Sequence, residues 1–117
     1  MENILNRAKS LYLVRHASNP VPWQIWDESV FQTAKRLNRP VFLSIGYSSC
    51  HWCRVMEKES FEDPETAAIL ADKFIPVKMD KDEYPDVDKE YQFYLQSTGE
   101  QGGWPLNVFL TPYGEPF

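Results

Sequence analysis

Apolar positions along the chain change their period several times, and each change marks an element. Val30, Phe31, Ala34 and Leu37 recur at helical spacing behind Asp27, an N-cap residue type, and Asn38 followed by Pro40 supplies a stop. That predicts a helix over 28–37. Val41-Phe42-Leu43-Ser44-Ile45-Gly46 is a short, nearly unbroken apolar run rich in β-formers, the pattern of a strand buried on both faces. Good helix formers follow at Arg54 to Glu59, which puts Cys50 at or just before a helix N-terminus and Cys53 in its first turn. Asp63 as N-cap and Pro64 at the first helical position open another helix that runs to about Asp72. Ile75 to Asp80 reads as a second strand, and two strands joined by a helical crossover are normally parallel, so the unit is βαβ. Pro85 starts a further helix with Val87, Tyr91, Tyr94 and Leu95 on one face and Gly99 at its end. Gln101-Gly102-Gly103-Trp104-Pro105 then makes a tight approach to a third strand, Leu106 to Leu110, with a turn at Tyr113-Gly114.

Residues 1–26 resist this treatment. Asn19-Pro20 and Pro22 break regular structure, while Trp23, Ile25 and Trp26 are too apolar to stand in water. An irregular segment packed onto a domain spanning 27–117 is expected. With 117 residues, 43% hydrophobic and 15% aromatic, the chain has the composition of one folded domain. A net charge of −5 with scattered basic residues gives phosphate backbones nothing to hold, so nucleic acid is not an expected partner. No apolar run approaches the roughly 18 residues of a membrane span, and the start lacks the apolar core of a secretory signal. A cytoplasmic protein without a cofactor is expected, in a reducing compartment where close cysteines serve catalysis, redox or metal binding more often than structure. The acidic cluster Asp80, Asp82, Glu83, Asp86 and Asp88 lacks the glycine-bearing spacing of an EF-hand loop and reads as a solvated helix start.

The only two cysteines stand in Tyr47-Ser48-Ser49-Cys50-His51-Trp52-Cys53-Arg54. A strand leading into C-x-x-C at a helix N-terminus favours thiolate, because exposed N–H groups and the helix dipole stabilise negative charge there. Cys50 is then the nucleophile, and Cys53, one turn on, is placed to attack the mixed disulfide and release product. His51, if protonated, adds positive charge beside Cys50; a ring that merely packs is the alternative. Haem attachment needs C-x-x-C-H, and Arg54 occupies the last position. Zinc needs four ligands, for which only Cys50, Cys53, His51 and His16 are available, and His51 is poorly placed between the cysteines, so no metal is expected. Two inert buried thiols are the structural alternative. Trp104-Pro105 is a candidate cis peptide whose loop, opposite the cysteines, would present backbone to an incoming peptide; a trans turn is the alternative.

Taken together, these elements resemble the thioredoxin fold, an α/β arrangement with a central mixed sheet flanked by helices. The runs Asn19 to Trp23, Phe42 to Cys53, Glu59 to Glu65, Val77 to Asp88 and Glu100 to Phe117 resemble the thioredoxin-like N-terminal domain of the spermatogenesis-associated protein 20 family. The resemblance implies Cys50 and Cys53 as a redox pair and Pro105 as a cis proline. Family members usually carry a long C-terminal helical barrel resembling sugar-processing enzymes.

Three departures bear on function. Arg54 replaces the histidine of the family's C-H-W-C-H, which leaves a permanent positive charge that favours thiolate. Ser44 stands where thioredoxins carry a buried acid, so Glu57 or water must accept the Cys53 proton, or resolution is slow. The last strand and covering helix of a thioredoxin fold are not expected within these residues, which is expected to leave Leu106, Val108 and Leu110 partly uncovered and invite a homodimer or strand exchange.

The expected activity is that of a thiol–disulfide oxidoreductase module acting on protein or small-molecule disulfides. Cys50 attacks, Cys53 resolves, Trp104 and Pro105 shape the peptide groove, and Trp52 covers the pair. The alternative is a non-catalytic thioredoxin-like module that docks or regulates the helical domain or a partner protein. His16 and Asn19 fall in the N-terminal motif, with core or capping roles expected and packing near the cysteine loop as the alternative.

Overall fold

The computed structural model describes residues 1–100 and 102–117; Gln101, part of the expected tight approach to the third strand, lies outside them. Four strands form one mixed sheet: β1 (Gln24–Ile25), β2 (Val41–Gly46), β3 (Ile75–Asp80) and β4 (Leu106–Leu110), in the order β1-β3-β2-β4. β2 and β3 are parallel from Val41↔Ile75 to Gly46↔Asp80, as a helical crossover between them requires, and β4 returns antiparallel to β2. The helices are α1 (Leu11–Val14), α2 (Glu28–Leu37), α3 (His51–Met56), α4 (Pro64–Lys73) and α5 (Pro85–Ser97).

Strand alternation divides the core in two. Val41, Leu43, Ile45, Ile75, Val77, Met79, Leu106, Val108 and Leu110 point to one face, where Val30 and Ala34 of α2 and Tyr91 of α5 cover them. Phe42 points to the other, packed with Leu5, Tyr12, Leu13, Val21, Trp23, Phe61, Ala67 and Leu70. Every residue of β2 is buried, as its unbroken apolar pattern requires.

Local signals account for most boundaries. Asn38 ends α2 in the left-handed region at φ 54°. Asp63 caps α4 by accepting from the Thr66 N–H at 3.2 Å, and Pro85 opens α5. Asp27 holds the cap position of α2 but not the cap bond: its carboxylate accepts from the Ser29 hydroxyl at 2.6 Å. Tyr94, on the same α5 face as the buried Tyr91, is only half-buried.

Two larger expectations need correction. The segment read as irregular contains a 3-10 turn at Leu5–Arg7, α1 and β1, and it buries Leu5, Leu13, Val21 and Trp23 against the second sheet face. The face of β4 expected to be uncovered is not: Leu106, Val108 and Leu110 are 2%, 5% and 0% exposed, because α2 and α5 close over it. The chain also turns back after β4, with Phe117 N–H donating to Phe109 O at 3.1 Å, so the edge is partly paired.

Candidate functional site

Cys50 is the N-cap of α3 and Cys53 lies in its first turn, joined in a disulfide with a Cα–Cα distance of 5.3 Å. The Cys53 N–H donates to Cys50 Sγ at 3.2 Å, which places Cys50 sulfur among the unpaired N–H groups of the helix start. Both cysteines are buried, at 3% and 4% exposure, and reach solvent through a pocket of about 150 Å³ lined also by Tyr12, His16, Tyr47, Arg54 and Glu57. A larger groove of about 960 Å³ runs along α5 beside Trp104, and neither cysteine lines it.

His51 and Trp52 stand out from the surface, their rings in edge contact at 4.9 Å; Trp52 is 65% exposed and does not line the cysteine pocket. The Trp104–Pro105 peptide is cis. Trp104 meets Tyr47 edge-on at 5.7 Å, which seats the proline loop beside the cysteine loop, and its indole N–H donates to buried Asp88 at 3.0 Å. Gln92 clamps Gly103 from both sides, accepting from its N–H at 2.8 Å and donating to its carbonyl at 2.9 Å. Gly103 sits at φ 131°, a conformation that side chains resist.

Beneath the disulfide the second sheet face turns polar. Lys78 is paired in register with Ser44 and is fully enclosed, its ammonium 3.4 Å from the Ser44 hydroxyl and over the rings of Trp23 at 4.6 Å and Phe61 at 4.7 Å. Burial pulls the Lys78 pKa from 10.5 down to about 7, opposed by the Glu57 carboxylate. Burial also raises Glu57, with Lys78 opposing, and holds His16 at about 3, so His16 is neutral at physiological pH. His16 Nδ1 meets Glu57 Oε2, and because burial keeps the ring neutral this contact is not an ion pair. Tyr12 is pushed upward by burial, and its hydroxyl has no hydrogen-bond partner among the described residues.

Sequence reasoning singled out His16, with packing near the cysteine loop as the lesser alternative, and the structure places that ring in the cysteine pocket. Lys78 was not singled out. The signal for Lys78 was present: in a strand buried on both faces, the residue between Val77 and Met79 must also be inside. Asn19 has the structural role expected of it, its side-chain oxygen accepting from the Val21 N–H at 3.2 Å. Among the described residues no group of three or more His, Cys, Asp or Glu could hold a metal ion, and no helix is long and apolar enough to cross a membrane.

A parallel-centred mixed sheet with C-x-x-C at the helix following β2 and a cis proline preceding β4 defines the thioredoxin-like class. The chain belongs to the Thioredox_DsbH family, described as "Protein of unknown function, DUF255", which matches residues 2–117. It is 54% identical over 111 residues to the uncharacterized protein B0495.5 of Caenorhabditis elegans, covering 95% of this chain and 15% of that protein. It is 50% identical over 115 residues to human spermatogenesis-associated protein 20, covering 98% and 15%. The chain therefore spans about 15% of the length of these relatives. Among solved structures, a disulphide isomerase from Xylella fastidiosa Temecula1 aligns with TM-score 0.63 at 25% identity, over 77% of this chain and 66% of that one. A DsbH oxidoreductase aligns with TM-score 0.60 at 19% identity, over 82% and 69%, a likeness of fold.

Proposed function

We propose that this domain is a thiol–disulfide oxidoreductase module. The observation that carries the reading is the Cys50–Cys53 disulfide at the start of α3, opening on a pocket beside the cis-proline loop. In the reduced form, Cys50 as thiolate attacks a substrate disulfide and forms a mixed disulfide, with helix-start N–H groups and Arg54 favouring its charge. Cys53 then attacks Cys50 sulfur, which closes the internal disulfide and releases the substrate thiol. Trp104 and Pro105 border the approach for a protein or small-molecule disulfide, and the exposed His51 and Trp52 side chains are free to meet a bound partner.

The test is multiple-turnover reduction of an aromatic disulfide with dithiothreitol as the recycling reductant, comparing wild type with Cys50→Ser. Turnover by wild type that is lost in the variant supports the reading. Equal rates for both proteins overturn it and favour a docking module, the role to which the groove of about 960 Å³ along α5 would then belong.

A further inference from the structure

The Cys50–Cys53 step has a stoichiometric requirement that the thiols alone do not meet. Resolution needs Cys53 as thiolate, yet Cys53 is buried and its proton must go to a nearby base. The strand beneath offers none in the usual place, since Ser44 is a neutral hydroxyl.

The pocket onto which both cysteines open supplies one carboxylate among its described lining residues, Glu57. Glu57 lies four residues beyond Cys53, and its N–H donates to the Cys53 carbonyl, so both side chains project from one helix face. The helix does not end there but widens into a π-turn over Glu57–Phe61, a feature frequently found at functional sites. His16, buried and arriving from the N-terminal segment, packs its Nδ1 against Glu57 Oε2, which leaves Oε1 as an acceptor.

We propose that Glu57 is the proton acceptor for Cys53, held in place by His16 as a positioning residue. This rests on the oxidoreductase reading. The Cys53 S–H proton passes to Glu57 Oε1, directly or through one water, for which about 150 Å³ is ample room. The Cys53 thiolate attacks Cys50 sulfur; the Cys50–Cys53 bond forms and the bond from Cys50 to substrate sulfur breaks. The substrate leaves as thiolate with that electron pair and takes up a proton, from Glu57 or from solvent. The cysteine pair is oxidised by two electrons and the substrate disulfide reduced by two.

The other groups near Glu57 suit the role less well. Tyr12 keeps its proton, and burial makes neutral His16 a weaker base than Glu57. Lys78 lies under the sheet face rather than in the pocket, where with Lys58 it steadies the Glu57 anion against Glu62. Arg15 and Arg54 line the pocket and keep the incoming proton's surroundings positive, and Asp80 is committed to the Ser10 hydroxyl at 2.6 Å.

The experiment mixes the reduced chain rapidly with an aromatic nitrobenzoate disulfide. The first burst of coloured thiolate reports Cys50 attack and the second reports Cys53 resolution, which Cys53→Ser identifies by abolishing it. Glu57→Gln should slow the second phase at neutral pH at least about 10-fold more than the first, the scale of general-base catalysis, and Glu57→Asp should recover part of the loss. An unchanged second phase in Glu57→Gln overturns the proposal. If Glu57→Gln fails to fold by circular dichroism, the wild-type second phase decides. A rate already near its plateau at pH 7 supports an internal base, and a tenfold rise per pH unit up to the ordinary thiol range of about 8.5 overturns it. A wild-type protein with no second phase at all removes the oxidoreductase reading and this one with it.

Discussion

Replacing Lys78 with methionine isolates the energetic consequence of enclosing a lysine beneath the disulfide. Methionine keeps an unbranched apolar stem among Tyr12, Trp23 and Phe61 and deletes the ammonium. In the folded chain Lys78 gives up its proton near pH 7; unfolded, it does so near 10.5. Between those values the unfolded chain holds more protons, so the Lys78 contribution makes stability rise with pH. Below about pH 7 both states are charged and the full cost of burying the ammonium is present; above about 10.5 both are neutral and it is gone. The fall from 10.5 to about 7 corresponds to a ceiling of about 5 kcal/mol at about 1.36 kcal/mol per decade. Rings facing the ammonium are already included in that balance, and Glu57 loses a neighbouring cation in the variant, which trims the gain.

Lys78→Met is therefore expected to be more stable than wild type by about 1–4 kcal/mol at pH 6.5, with the difference closing toward pH 10. Urea unfolding with the disulfide intact, followed by tryptophan fluorescence at several pH values from 6.5 to 10, measures both curves. The range stops at 10 because Tyr12 acts in the opposite sense above it: the unfolded tyrosine ionises first and stability falls. Parallel stability–pH curves for the two proteins, or a less stable variant at pH 6.5, would refute the account of Lys78 as a buried, weakened base.

Two further substitutions probe the walls of the site. A methyl group at Gly46 would sit 2.7 Å from Cys53 Sγ and press on the Tyr12 hydroxyl, so Gly46→Ala should cost about 1–3 kcal/mol in urea unfolding and shift the glutathione redox equilibrium of the cysteine pair; wild-type values for both would show that the floor of the site yields freely. Trp104→Phe removes the N–H donor to Asp88, which is only 6% exposed, and should cost about 1–3 kcal/mol; a double-mutant cycle with Asp88→Asn that shows no coupling would place the loop's anchorage elsewhere.

Much of the architecture is decided by interactions within a few residues, and those were legible. The unbroken apolar run of β2, the α4 cap at Asp63, the proline that opens α5 and the strand-to-helix setting of Cys50 all follow from local periodicity, capping and backbone freedom. The spacing of Cys50 and Cys53 likewise sets a redox-capable geometry as soon as α3 begins at His51. The N-terminal segment was not legible in the same way. Its prolines hide a two-residue edge strand that exists only because β3 offers a partner at Val77 and Lys78.

The surroundings of the cysteines were decided by tertiary structure. Tyr12 and His16 come from the N-terminal segment, Glu57 from the turn beyond α3, and Lys78 from β3. No local pattern relates such distant positions; only packing on the second sheet face brings His16 against Glu57 and encloses Lys78 among aromatic rings. So the sequence by itself determined that a cysteine pair would stand at a helix start, because helix ends are local objects. Which acids and bases would surround that pair depended on burial and long-range contact, because desolvation, which reshapes His16, Glu57 and Lys78, belongs to the folded molecule and to no segment of it.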